Sequence, residues 1–262
     1  MTPAVGATLW VDRDGFRIHC RVLGSGPTVV LHTGGAGDGT MWREYLPYLT
    51  GLRAVLLDHR GRGLTDSPTD VAGHSMGEYV SDVVAVARAL DAPDISFVGY
   101  SMGAQVGYAL AALHPELVTA LVGLGGTWEV EADSDEDAQF ASLLRRDGMA
   151  ALVTAVEQDE GLTLPAWLRD QFLQTDPEQF ALSIEAWADW SPWAVHASIS
   201  CPTLLVAGSQ EDPSRSNATA AAQMADARAV WLPDLGHVGA FLAAEDQCQV
   251  LVPHLRSRAQ PR

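Results

Sequence analysis

The pentapeptide Gly99-Tyr100-Ser101-Met102-Gly103 constrains this chain more than any other feature, because of what lies on either side of it. Residues 95–98, Ile-Ser-Phe-Val, read as a buried strand, and residues 102–113 read as a helix that is apolar nearly all round. A serine flanked by glycines between such a strand and such a helix predicts a tight turn that throws the hydroxyl out at the end of a sheet. The glycines leave room for a strained backbone. The same Gly-x-Ser-x-Gly pattern recurs at Gly73-His74-Ser75-Met76-Gly77, but there it follows the polar Ser67-Pro68-Thr69-Asp70. Ser75 has Glu78 three residues on, which predicts a capping box at the start of an amphipathic helix. Ser101 is therefore the candidate nucleophile and Ser75 a helix cap.

Short runs with strand character occur at residues 28–32, 53–58, 95–99, 119–124, 203–208 and 228–232, alternating with helical patterns such as 78–90. Residues 9–11 and 16–23 flank Asp12-Arg13-Asp14-Gly15, a turn signal, and read as an antiparallel pair. Alternation of this kind predicts an α/β domain with a mostly parallel sheet and helices on both faces. It breaks once. Residues 127–201 show helical segments near 140–158, 166–174 and 178–190, which predicts a helical cap inserted after the sixth strand. The core is then 1–126 with 202–262. The cap opens on Glu129, Glu131, Asp133, Asp135, Glu136 and Asp137, which read as a solvated hinge.

A serine needs a base, and the base needs an orienting carboxylate. His237, between Gly236 and Val238-Gly239 just past the last strand, is the candidate base. His254 falls in the terminal helix and His196 at the end of the cap. The acid is expected after residues 203–208. Asp212 is preferred because Pro213 fixes its backbone, with Glu211 in the same loop as the alternative and Glu129 or Glu131 behind it. The amide of Met102 is one oxyanion donor. The loop His32-Thr33-Gly34-Gly35-Ala36-Gly37 supplies the other, with Gly35 chosen ahead of Gly34. No Gly-Lys-Ser/Thr follows that loop, so a phosphate loop is not expected.

The net charge of −17 argues against nucleic acid and anionic membranes as partners. Residues 1–16 have no charged start followed by an apolar run, so no signal peptide is expected. Three unpaired cysteines read as reduced core thiols, and together these point to the cytoplasm.

The order of the serine, the acid and the histidine, with the 32–37 loop and Asp58-His59-Arg60-Gly61-Arg62-Gly63, resembles the α/β-hydrolase family over nearly the whole chain. The similarity is to its capped esterases, lactonases and carbon–carbon bond hydrolases. It implies an acyl-enzyme mechanism on a small-molecule ester or lactone, without metal or organic cofactor. Serine at residue 101 separates the chain from dehalogenases and epoxide hydrolases of this fold, which carry aspartate there. Two departures stand out: Thr33 replaces the family's usual glycine, and Asp212 lies one residue beyond the usual acid position, which is Glu211. Trp42, Trp128, Tyr100, Gly34 and Val238 are candidate pocket residues. Trp187 and Trp190 either line the pocket with them or glue the cap to the sheet. The competing readings are carbon–carbon cleavage or acyl transfer on the same scaffold, and a non-enzymatic ligand-binding protein.

Overall fold

The computed structural model describes residues 6–126, 134–188, 190–211 and 217–257. Eight strands form one sheet in the order β1-β2-β4-β3-β5-β6-β7-β8. They are β1 (Ala7–Arg13), β2 (Phe16–Leu23), β3 (Thr28–His32), β4 (Arg53–Asp58), β5 (Ile95–Tyr100), β6 (Val118–Leu124), β7 (Thr203–Gly208) and β8 (Ala227–Leu232). β2 runs antiparallel to β1 and β4, and every other neighbouring pair is parallel. Every residue of β3 and β7 is buried, as are most of β4, β5 and β6, which is why these strands lack a polar alternation.

The helices are α1 (Met76–Ala89), α2 (Met102–Leu113), α3 (Ser134–Asp147), α4 (Met149–Asp159), α5 (Ala166–Gln174), α6 (Pro177–Trp187), α7 (Trp193–His196), α8 (Asn217–Gln223), α9 (His237–Leu242) and α10 (Ala244–Arg256). α1, α2, α7 and α8 pack in succession as one layer. On the other face, 3-10 turns over Gly39–Glu44 and Leu46–Tyr48 lie with α9 and α10, and Trp42, Tyr45 and Phe241 pack ring to ring between them.

Among the described residues, the connection from β6 to β7 contains only helices. The helical pattern read over 140–158 is two helices, broken at Gly148, whose φ of 70° ends α3 and turns the chain into α4. α3 packs on α6 and α4 on α5, while the short α7 packs on α2. Trp128 and the acidic residues Glu129, Glu131 and Asp133 lie outside the described residues. Cys20, Cys201 and Cys248 are buried free thiols. No helix among the described residues is long and apolar enough to cross a membrane.

Ser75 stands at the N-cap position of α1, as its spacing to Glu78 predicts, but its side chain makes no capping bond. Glu78 turns instead to Arg13 and Arg60. Arg60 also grips the buried Asp82 through Nε and Nη2, both at 2.9 Å, and Arg13 joins at 2.9 Å. A guanidinium outcompetes the Ser75 backbone amide, which donates to the Ala72 carbonyl instead, for a nearby carboxylate because the pairing is charge-assisted.

Candidate active site

β3 and β5 are neighbours in the sheet, yet the chain leaves β3 toward β4 on one side and β5 toward β6 on the other. A crevice opens at the carboxyl ends of strands at such a switch point. The two loops of interest leave from those ends: the 32–37 loop after β3 and the turn at Ser101 after β5.

Ser101 adopts φ 54°, ψ −121°, a conformation that costs a non-glycine residue on the order of 1–3 kcal/mol. Its surroundings enforce the turn. The Ser101 amide donates to the Leu124 carbonyl at 2.8 Å, fixing the elbow to β6. A Cβ at Gly99 would lie 2.2 Å from the Gly103 carbonyl, and one at Gly103 would lie 2.5 Å from the carbonyls of His32 and Thr33. Both glycines of the pentapeptide are thus required by close backbone approach. The Met102 amide opens α2 as one of the first-turn donors that have no intrahelical acceptor.

The glycines after β3 are held against this elbow. A Cβ on Gly34 would sit 3.1 Å from the Cβ of Ser101. His59 donates from Nε2 to the Gly34 carbonyl at 2.9 Å, and Arg62 from Nε to the Gly35 carbonyl at 2.7 Å. In a trans peptide the N–H points opposite to the C=O, so the His59 bond fixes the direction of the Gly35 N–H. Burial pushes the His59 imidazole well below its ordinary pKa, and His32, stacked on it at 4.8 Å, is lowered to about 4 for the same reason. Both are therefore neutral. Arg62 is lowered to about 10, again by burial, and stays charged.

His237 opens α9, in the loop beyond β8. Its Nδ1 lies 3.2 Å from Glu211 Oε2, and the other Glu211 oxygen accepts the Gly208 amide at 2.9 Å. The Glu211 side chain is only 5% exposed, so the carboxylate is shielded from competing water. The carboxylate beside His237 is thus Glu211, the alternative in the same loop. Asp212, preferred from the sequence, lies outside the described residues. The Gly208–Glu211 turn bond holds the Glu211 carboxylate toward His237. Tyr100 stacks on His237 at 4.9 Å and on Phe241 at 4.3 Å. Its hydroxyl is raised well above the usual range by burial, with Glu211 and Glu160 adding to the effect.

Gly125 and Gly126 join the parts. A Cβ on Gly125 would come within 2.6 Å of His237 Nδ1, and one on Gly126 within 2.9 Å of the Ser101 carbonyl. Serine and histidine therefore flank one glycine pair at the end of β6. The cap lies over them: Phe180 occupies the space above Gly35 and Met102, Ser183 accepts from Arg62 at 3.3 Å, and Thr175 accepts from the Gly37 amide at 2.8 Å.

Two of the candidate pocket tryptophans, Trp42 and Trp187, make packing contacts. Trp42 is fully buried among Tyr45 and Phe241. Trp187 donates to the His74 carbonyl at 2.8 Å and packs edge-on against Tyr79, joining cap to core. Trp190 is half-buried, three residues beyond the end of α6. Val238 is buried, and its amide is held by Glu160 at 2.7 Å. His196 is buried edge-on against Tyr108, and His254 donates to the Pro202 carbonyl at 3.3 Å. Sequence reasoning gave no role to His59, Arg62, Gly125 or Glu160. For Gly125-Gly126, a glycine pair closing a buried strand was the available signal. A cleft of about 700 Å³ lies elsewhere, lined by Trp10, His19, Arg21 and Leu64 among others, and does not include Ser101. Among the described residues no group of three or more His, Cys, Asp or Glu is placed to hold a metal ion.

A family model for the alpha/beta hydrolase fold matches residues 27–166. Sequence relatives include epoxide hydrolase 3 of Siraitia grosvenorii, 32% identical over 44% of this chain and 37% of that protein. A carbamate hydrolase candidate from Agrobacterium fabrum is 30% identical over 59% of each chain. The matched stretch thus spans from about a third to three fifths of those relatives. Among solved structures, the enol-lactonase from Burkholderia xenovorans superposes with a TM-score of 0.84 at 25% identity, covering 95% of this chain and all of that one. An esterase from Exiguobacterium antarcticum gives 0.82 at 20% identity over 96% and 99%, a likeness of fold.

Proposed function

Because this chain belongs to the α/β-hydrolase fold family, we propose that it is a serine hydrolase cleaving a carboxylic ester or lactone of a small hydrophobic or aromatic molecule. The observation that carries the reading is convergence. The strained Ser101 elbow and the His237–Glu211 pair flank Gly125-Gly126 at one sheet edge, and the tethered 34–35 peptide faces the elbow. Serine in place of aspartate at the elbow favours an acyl-enzyme over the epoxide chemistry named for one relative. The lactonase and esterase neighbours lend the substrate class.

In this mechanism His237 takes the Ser101 proton as the serine oxygen attacks the carbonyl carbon. Glu211 holds the imidazole with its Nδ1–H occupied, leaving Nε2 as the base, and stabilises the cation that forms. The amides of Gly35 and Met102 bind the oxyanion, directed before substrate arrives. His237 returns the proton to the leaving alkoxide, or to the ring oxygen of a lactone. Water, activated by the same imidazole, then hydrolyses the acyl-enzyme. Phe180 over the oxyanion loop favours a short acyl group.

The test is hydrolysis of p-nitrophenyl esters and simple lactones by wild type, Ser101→Ala and Ser75→Ala, with fluorophosphonate labelling in parallel. Activity and labelling lost only in Ser101→Ala sustain the proposal. A wild type that neither hydrolyses nor is labelled at Ser101 overturns it.

A further inference from the structure

The helix that begins with His237 has no capping side chain of its own. Its N-cap is Gly236, whose φ −84° and ψ −167° are extended values open to any residue. The first-turn amides of a helix need acceptors, and serine, threonine, asparagine or aspartate at the N-cap ordinarily supplies one. Here the acceptor comes from another part of the chain. Glu160, at the end of α4, accepts the Val238 amide through Oε1 at 2.7 Å and the Gly239 amide through Oε2 at 2.8 Å. A Cβ on Gly236 would lie 2.7 Å from Glu160 Oε2. Glycine is therefore required at 236 by the carboxylate of Glu160, not by the backbone.

We infer that Glu160 is a positioning residue: it caps α9 from the cap helices, so that docking of those helices and orientation of His237 are a single event. This rests on the reading of His237 as the base. The amides that Glu160 holds belong to the two residues after His237. On its other sides the imidazole meets Glu211 from the loop after β7 and the ring of Tyr100 from β5. Those two contacts limit the ring's tilt, and the Glu160 bond sets the backbone from which the ring projects. Since the chain reaches Glu160 through 78 residues from Val238, the bond exists only when the cap is docked.

The geometry gives a reciprocal test. Glu160→Ala removes the cap and should slow fluorophosphonate labelling of Ser101 about tenfold, the scale expected when a catalytic group is displaced by a fraction of an ångström. Gly236→Ser should also slow it, because the new side chain collides with Glu160. The double variant has both the space and a serine in N-cap conformation, and should label within about threefold of wild type. Hydrogen exchange at Val238 and Gly239 gives the second reading: faster in Glu160→Ala and restored in the double variant. A general loss of cap stability would leave the double variant as slow as Glu160→Ala. That result, or wild-type labelling in Glu160→Ala, overturns the inference. If wild type itself is not labelled, the hydrolase proposal fails. Exchange at Val238 and Gly239 then decides the latch alone, and unchanged exchange in Glu160→Ala refutes it.

Discussion

His59 Nε2 and the Gly34 carbonyl oxygen are 2.9 Å apart, and through that bond a residue from the loop after β4 sets the direction of an amide in the loop after β3. His59→Phe keeps a ring to stack on His32 and removes the donor. The freed Gly34–Gly35 peptide then spends only part of its time with its N–H toward the oxyanion. We expect kcat on a p-nitrophenyl ester to fall by about 10- to 100-fold with KM little changed, short of the 10²–10³ lost when a donor is removed outright. A change confined to KM would refute the assignment.

Glu211 and Asp212 are adjacent in the chain and are distinguished by one pair of variants. Glu211→Gln keeps the shape but loses the charge that holds the imidazole, and should lower kcat about 10³- to 10⁴-fold. Asp212→Asn should leave kcat near wild type. The reverse pattern would return the role to Asp212. Steady-state kinetics on the same ester decide it.

These two cases mark how far the sequence could be read. The turn at Ser101 was legible because an elbow is local: strand, glycine, serine, glycine and helix all lie within a few residues. The strands were legible because their burial leaves unbroken apolar runs. The choice between Glu211 and Asp212 was not legible because the turn that brings Glu211 to His237 depends on its bond to the Gly208 amide, and composition does not report that. His59, Arg62 and Glu160 were invisible as positioning groups because their acceptors and donors lie 25, 27 and 78 residues away. Trp187 and Trp190 could be read either way for a physical reason: an indole is as useful for sealing helices to a core, as Trp187 does, as for lining a pocket.

Asp82 is the hub of a buried ion cluster, with Arg60 only 2% exposed beside it. Asp82→Ala strands that guanidinium without its main partner. Urea denaturation should show a loss of about 3–5 kcal/mol, because a buried charge is left uncompensated. A loss below about 1 kcal/mol, the value of a surface pair, would show that Glu78 suffices.

The buried histidines predict acid sensitivity of the fold. His32, His74 and His196 are each lowered to about 4, in every case chiefly by burial. Their unfolded counterparts take up protons near pH 6.5, so the unfolded state binds more protons between about 6.5 and 4. Stability is then independent of these groups above pH 6.5. It falls as pH drops through that window, by up to about 1.4 kcal/mol per pH unit for each histidine. Neither ring nitrogen of His196 has a hydrogen-bonding partner among the described residues. His196→Phe should raise the Tm at pH 7 and make its decline toward pH 5 shallower, as thermal melts across that range would show. An unchanged slope would mean that His196 takes up its proton over the same pH range in the folded and unfolded states.

The helix α7 divides the long connection between β6 and β7 into two stretches with different histories open to them. α3 to α6 pack on one another above the site, whereas α7 lies against α2, with His196 edge-on to Tyr108 at 5.1 Å. The polypeptide must cross from the carboxyl end of β6 to the amino end of β7, and α7 makes the last part of that crossing as a member of the sheet's own helical layer. Exchange of specificity between relatives by grafting is therefore best spliced at Gly126 and at Pro192. A graft carried on to Pro202 would replace a structural crossover along with the lid, and import a helix cut to fit another protein's α2.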